Sequence, residues 1–199
     1  MSSKREGSPW SLKLNTASLV LIPAAIGINY VGKLFASMLK LPLWLDSIGT
    51  CLSACMAGPV VGALSGFLTN VIYGLTMDPI STVYGLTQAG IGIAVGLMAW
   101  YGHMRKAPGI LVAGLVAGLV AVCISTPLNM AFWGGSTGNV WGDAAFAAMG
   151  SQGFLASAVD EIIVDLPDKI VVLFITAGIY KVLPKSLISL YQAKDESLD

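Results

Sequence analysis

The sequence predicts an all-α integral membrane protein, a bundle of six transmembrane helices with both termini on the cytoplasmic side. Three observations predict it. Of 199 residues, 55% are hydrophobic and only 11% are charged, against about 25% charged in an ordinary soluble domain. Mean hydropathy is +0.77. So few polar groups cannot solvate the outside of a globule, so the outside must face lipid. The apolar residues also fall into runs of near-spanning length separated by proline, glycine and charge. Finally, lysine and arginine are distributed unequally between the two sets of connections.

The runs follow in order. The first extends from Leu14 to Leu39 and ends at Lys40-Leu41-Pro42, because proline disfavours helical geometry in the residue before it. The second, Leu43 to Ala57, contains Asp46 and stops at Gly58-Pro59. The third, Val60 to Met77, ends at Asp78-Pro79, and the fourth covers Ile80 to Tyr101 before the polar cluster His103-Met104-Arg105-Lys106. Pro108 opens the fifth, which reaches about Trp133 and gives way to Gly134-Gly135-Ser136-Thr137-Gly138-Asn139, a stretch with loop chemistry. Residues 144–166 are mixed and suit a short helix in or near the interface. The last run, Pro167 to Leu183, precedes Pro184 and a charged tail.

A spanning helix needs about 20 mostly apolar residues, so the domain organisation expected is a polar cytoplasmic tail over 1–13, one six-helix membrane domain over 14–185, and a second cytoplasmic tail over 186–199. The N-terminal segment lacks a convincing small-residue cleavage site and reads as a tail, not a removed signal. With the N-terminus inside, Lys4, Arg5, Lys13, Arg105, Lys106, Lys181, Lys185 and Lys194 are cytoplasmic. Only Lys33 and Lys40 lie toward the exterior, and Lys169 is unassigned. This is a positive-inside pattern.

Zero net charge with the one histidine neutral gives no electrostatic pointer to nucleic acid. Cys51, Cys55 and Cys123 sit in apolar runs and read as small packing residues. Glycines recur at four-residue spacing (Gly58, Gly62, Gly66; Gly92, Gly96; Gly114, Gly118), which lets helix backbones approach closely in lipid, within one bundle or against another subunit. Gly27-Ile28-Asn29-Tyr30-Val31-Gly32-Lys33 is similar to the start of a phosphate loop, but Leu34 replaces the metal-binding hydroxyl and no strand precedes it. One histidine and no paired Cys-x-x-Cys leave no familiar metal site, so neither a cofactor nor a resident metal is expected.

Two polar patterns remain. Asp160-Glu161-Ile162-Ile163-Val164-Asp165-Leu166-Pro167-Asp168-Lys169 places charges near a span, where they are costly. In a helix Glu161, Asp165 and Asp168 share one face, and Asp165 pairs with Lys169. The segment suits a ligand-site lining, solvated interfacial charge, or a carboxylate cage for a hard cation. Separately, Trp44 and Asp46, Asn70 and Tyr73, Tyr84 and Gln88, Asn129 and Trp133, and Asn139 and Trp141 collect at exterior helix ends. Interfacial anchoring explains the rings but not Asp46, Asn70, Gln88 and Asn129. These groups suit a pocket for a small polar heterocycle facing outward.

Leu45-Asp46-Ser47-Ile48-Gly49-Thr50, with Ala57-Gly58-Pro59-Val60-Val61-Gly62-Ala63, Thr69-Asn70, the Gly134–Gly138 loop and Asp168-Lys169, resembles the membrane-embedded substrate-binding (S) components of energy-coupling factor vitamin transporters, over about residues 14–185. The resemblance implies a six-helix bundle in the plasma membrane that binds a micronutrient near its outer face, without catalysis. It also implies a transmembrane coupling (T) subunit and two cytoplasmic ATPases as partners. The first run lacks the Ala-x-x-x-Ala that many members use for docking; its nearest equivalent is Gly32 to Ala36. Met1-Ser2 is not the chelating Met-His terminus of nickel or cobalt members.

The expected pocket residues are Asp46, Asn70, Tyr84, Gln88, Asn129, Trp133, Asp165 and Lys169. Carboxylates would take an amine or hydroxyl, Lys169 an acidic group, and the rings a heterocycle plane. The alternatives are a stand-alone secondary transporter or channel using the 160–168 acids as a proton or cation relay, and an intramembrane enzyme using them as acid, base or metal ligands.

Overall fold

A computed structural model describes residues 9–10 and 16–192. The predicted N-terminal tail and the end of the C-terminal tail lie essentially outside the described residues. The described chain is helical: α1 Thr16–Met38, α2 Ile48–Ala57, α3 Pro59–Thr76, α4 Gly85–Trp100, α5 Ala107–Phe132, α6 Val140–Ala148, α7 Phe154–Val182 and α8 Lys185–Gln192, with short 3-10 turns at Pro79–Thr82 and His103–Arg105. Three helices are long and apolar enough to cross a membrane, Ser18–Met38, Pro59–Thr76 and Ala107–Phe132, while Ile48–Ala57 and Gly85–Trp100 are shorter apolar helices. The bundle turns Val20, Val31, Phe67, Leu119 and Phe174 outward, as a lipid-facing surface requires.

Consecutive helices pack side by side from α1 to α5, and α7 closes the bundle against α5 and α2. At its centre is α2, a run of small residues buried continuously from Gly49 to Met56. The core around it is also built from small side chains: Cys51, Ala54, Val95, Ala113, Ala117 and Ala121 have no exposure. Small residues are what allow these approaches. A Cβ on Gly62 would lie 2.5 Å from the Ala54 methyl, one on Gly96 2.4 Å from Pro59 Cα, and one on Gly114 2.9 Å from Ile170 Cα. These glycine stripes therefore pack within this chain. Cys51 and Cys55 are buried free thiols, but Cys123 faces outward from α5 and is not a packing residue of the interior.

The local chemistry of helix starts operates as expected at Gly58-Pro59: Gly58 takes φ 98° and Pro59 is the first residue of α3, where its missing N–H removes nothing. At Pro167 the expectation fails. No helix begins there; α7 starts at Phe154 and runs unbroken through Pro167, so the acids of 160–168 lie inside a long helix. Proline in a helix interior costs about 3 kcal/mol. Two features offset that cost. Pro167 is on the exposed side of α7, so the ring and the unpaired carbonyl face away from the core. Its neighbours Leu166 and Ile170 seat against Gly118 and Gly114, where a Cβ would be 3.1 and 2.9 Å from their Cα atoms. The short helix of this region is α6, ending at Ala148, before the stretch assigned to it is half used.

One polar residue inside α1 organises the centre. Asn29, fully buried, accepts from the backbone N–H of Gly49 at 2.6 Å and of Thr50 at 3.2 Å, the second and third residues of α2. Its amide donates to Thr50 Oγ1 at 2.8 Å and Thr69 Oγ1 at 3.0 Å. It thus does for α2 what an N-cap side chain does, from another helix. Leaving buried donors unsatisfied costs about 1–3 kcal/mol each, so Asn29→Ala is expected to lower stability by at least that amount in a detergent unfolding titration. A wild-type midpoint for the variant would mean that water replaces the side chain there.

Candidate functional site

The C-terminal ends of α1, α3 and α5 meet the N-terminal ends of α2 and α4 and the first half of α7 around a cavity of about 120 Å³. The loop from Leu39 to Ser47 folds inward to form one wall. Lys40 and Leu45 take φ 50° and 52°, the left-handed region that L side chains adopt rarely. What holds the loop there is Asp168 of α7, fully buried, whose Oδ1 accepts from the N–H of Trp44 at 3.0 Å and of Leu45 at 2.9 Å.

Lys169, 2% exposed, is the hub of the charged groups. Its Nζ donates to Asp168 Oδ2 at 2.6 Å and lies 3.3 Å from Asp165 Oδ1 and 3.6 Å from Asp46 Oδ1. Asp46 Oδ1 also accepts from Ser47 Oγ at 2.8 Å. Gln88 closes the ring from α4, donating to Ser47 Oγ at 3.0 Å and Asp46 O at 3.3 Å while its Oε1 accepts from Thr50 Oγ1 at 3.3 Å. A buried polar network runs from Asn29 through Thr50 and Gln88 to the Lys169 cluster.

A second network lies on the α5 side. The Tyr84 hydroxyl donates to Asn129 Oδ1, and Asn129 Nδ2 donates to Glu161 Oε1 at 2.5 Å. Asp160, pointing elsewhere, accepts from Thr137 Oγ1 at 2.7 Å and Thr137 N at 3.1 Å and so pins the glycine-rich loop to α7. That loop is further held by Ser136 Oγ on Asp143 Oδ1 at 2.6 Å, and Asn139 Oδ1 caps α6 at Trp141 N.

The acidic stretch therefore divides its work. Asp160 anchors a loop, Asp168 anchors another, and Glu161 and Asp165 line the cavity. None of the four is more than 5% exposed, which is incompatible with solvated interfacial charge. The position a hard cation would take among Asp46, Asp165 and Asp168 is held by the Lys169 ammonium.

Of the eight residues expected at a pocket, Asp46, Tyr84, Gln88, Asp165 and Lys169 line this cavity. Asn129 is immediately behind the wall, bonded to two residues that line it or flank it. Asn70 and Trp133 are not among the lining residues: Asn70 is buried on α3 with no bond to Oδ1, and Trp133 is half-buried at the end of α5 against Phe132. Lys169 differs from expectation in its partners, since its ammonium is occupied by three carboxylates of its own chain.

The cavity is also lined by Lys33, Asp78, Ser81, Thr87, Ser125 and Thr137, which the eight do not include. Lys33 was legible as a charge inside an apolar run; it donates to Ser81 Oγ at 3.0 Å and lies 4.3 Å from the centre of the Tyr73 ring. The hydroxyl residues carry no local signal that separates them from ordinary intrahelical serine and threonine.

A cavity at one end of an apolar bundle, lined by charged, polar and aromatic side chains from α1, α4, α5, α7 and the connections between helices, is suited to holding a small molecule. Comparison with known proteins gives a single positive result: residues 17–180 match the family described as ECF transporter, substrate-specific component. No curated protein and no solved structure matches. Since the match covers most of the chain and agrees with the helical, lipid-facing architecture, this protein belongs to the substrate-specific components of ECF transporters, the membrane-embedded subunits that bind the transported solute.

Proposed function

We propose that this subunit captures a small water-soluble vitamin or related heterocycle from outside the cell and works with a transmembrane coupling subunit and two cytoplasmic ATPases that drive import. It lies in the plasma membrane with six passes (α1 to α5 and α7), N-in and C-in, and performs no chemistry on its ligand. The observation that carries the reading is the alternation of helix ends at the cavity. C-terminal ends of α1, α3 and α5 and N-terminal ends of α2 and α4 share one face of the bundle, as consecutive antiparallel passes require.

The side of the cavity follows from charge. Arg105 and Lys106 lie in the connection between α4 and α5, and Lys181 and Lys185 at the far end of α7, all at the opposite pole from the cavity. The positive-inside rule makes that pole cytoplasmic and the cavity external. α2, at about 15 Å for its 10 residues, is shorter than the bilayer core; buried on all sides by other helices, it needs no lipid contact of its own.

Two measurements test the proposal. Mass spectrometry of small molecules released by denaturing the purified subunit is expected to find one water-soluble compound near equimolar amount. Co-expression with coupling and ATPase subunits is expected to give a complex that imports it only when ATP is hydrolysed. Solute uptake by the purified chain alone, driven by a cation or proton gradient, would replace this reading with that of a secondary transporter.

A further inference from the structure

More carboxyl side chains than lysines line the cavity. We infer that the ligand is a compact cation: a ring-sized molecule whose positively charged nitrogen sits at Glu161 and Asp165, with its plane beside Trp44 and Tyr84. The inference rests on the reading of this cavity as the substrate site and adds the chemical class of the substrate.

Four carboxylates line the cavity (Asp46, Asp78, Glu161 and Asp165) against two lysines, Lys33 and Lys169. Neither lysine is free for Glu161. The Lys169 ammonium has three protons and already faces three acids, with Asp168 at 2.6 Å, Asp165 at 3.3 Å and Asp46 at 3.6 Å. Lys33 is drawn to the α3 side, bonded to Ser81 and positioned over the Tyr73 ring. Ser81 in turn donates to Asp78 at 3.0 Å, so the positive charge of Lys33 has its own carboxylate nearby.

Glu161 is left with a neutral partner, the Asn129 amide. Among the described residues no lysine or arginine nitrogen lies within ion-pair distance of it, although it is 3% exposed. Asp165 stands one turn further along the same face and shares its only cation with two other acids. A buried carboxylate without a cation is costly, and the cost is relieved either by taking up a proton or by a positive charge supplied from outside. A ligand cation supplies that charge, and this makes binding selective by charge: an anion meets Glu161 and Asp165 directly.

Two further features narrow the class. Trp44 and Tyr84 are the aromatic residues on the wall, and aromatic faces attract cations as well as flat rings. A volume of about 120 Å³ corresponds to roughly four waters at about 30 Å³ each, well below the roughly 300–1,000 Å³ of pockets for drug-sized ligands. The ligand is therefore a small molecule.

The test uses three probes of one shape, benzamidinium, benzamide and benzoate, at neutral pH on the purified full chain in detergent after exhaustive dialysis. Affinity is read by calorimetry and by the shift of the unfolding midpoint, and any ligand retained by the protein is identified by mass spectrometry. Benzamidinium is expected to bind at least about tenfold more tightly than benzamide, with benzoate weakest, as loss of one partner of a buried charge pair implies. Glu161→Gln and Asp165→Asn are expected to weaken benzamidinium by about tenfold or more, with their unliganded unfolding midpoints showing that each variant is folded. Benzamide or benzoate binding as well as benzamidinium, or a folded Glu161→Gln with unchanged affinity, overturns the charge assignment and leaves the cavity as a binding site. If no probe binds, the retained molecule decides: a protonated or quaternary nitrogen supports the inference, and a neutral or acidic ligand overturns it. An empty protein that binds none of the three removes the site itself.

Discussion

Lys169→Met is expected to lower the stability of the bundle by about 3–5 kcal/mol, the usual result of removing one partner from a buried ion pair. Methionine fills much of the same volume, so packing is largely kept and the change isolates the charge. It leaves Asp46, Asp165 and Asp168 facing one another with no cation, at side-chain exposures of 11%, 6% and 0%. The damage spreads because Asp168 also holds the N–H groups of Trp44 and Leu45, and through them the inward-folded loop in which Leu45 sits at φ 52°. Asp168→Asn gives the contrast. It keeps an oxygen acceptor for the loop and removes one negative charge from Lys169, so its loss should be the smaller. Combined with Lys169→Met it should recover part of the stability lost by the lysine change alone, a non-additivity expected for groups in direct contact. Denaturant titrations of the four proteins in one detergent measure the cycle. If Lys169→Met unfolds at the wild-type midpoint, the cluster is hydrated and its energetic importance is lost.

The sequence discloses this cluster because helical geometry is local. The spacing of Glu161, Asp165 and Lys169 is enough to put them on one face, and the Asp165–Lys169 pair follows from the same spacing. Gly58-Pro59 is legible for a similar reason: conformational restriction belongs to the residues themselves. Pro167 shows where local rules stop. Its steric penalty reads as a helix start, but close packing of α5 against the residues on either side, made possible by Gly114 and Gly118, keeps α7 continuous. Asn29 is hidden for a deeper reason. A polar residue within an apolar run announces a cost without naming the partner that offsets it, and that partner is the start of α2, 20 residues away. Asn70 and Trp133 illustrate the complementary limit, since a position near a helix end does not specify which face of the bundle receives the side chain.

Gly92→Ala is expected to cost about 1–3 kcal/mol, the range for forcing extra volume into a packed core, and Gly92→Leu is expected to prevent recovery of folded, monodisperse protein. An added Cβ at Gly92 would be 2.4 Å from Gly62 C and 2.5 Å from Ala63 N, and both are backbone atoms of α3 that no rotamer change can move. The helices themselves must separate. In a membrane this loss is not recovered by burying more apolar surface, because lipid is as apolar as the side chains; close backbone contact is itself what favours association. The effect should also reach the cavity, because Gln88 lies one turn before Gly92 on α4 and its bonds to Ser47 and Asp46 O depend on where that helix sits. Gly92→Ala should therefore weaken ligand binding as well as the fold, although residue 92 is not on the cavity wall. Gly27 provides the control. It also lies within a helix, but no atom comes within 4 Å of an added Cβ. There alanine should be neutral or stabilising by up to about 1 kcal/mol through helix propensity. Thermal unfolding and ligand titration of the two alanine variants separate close packing from a general dislike of alanine for glycine. Equal stability of Gly92→Ala and wild type would mean that α3 and α4 are not in backbone contact, and the position of Gln88 in the site would lose its support.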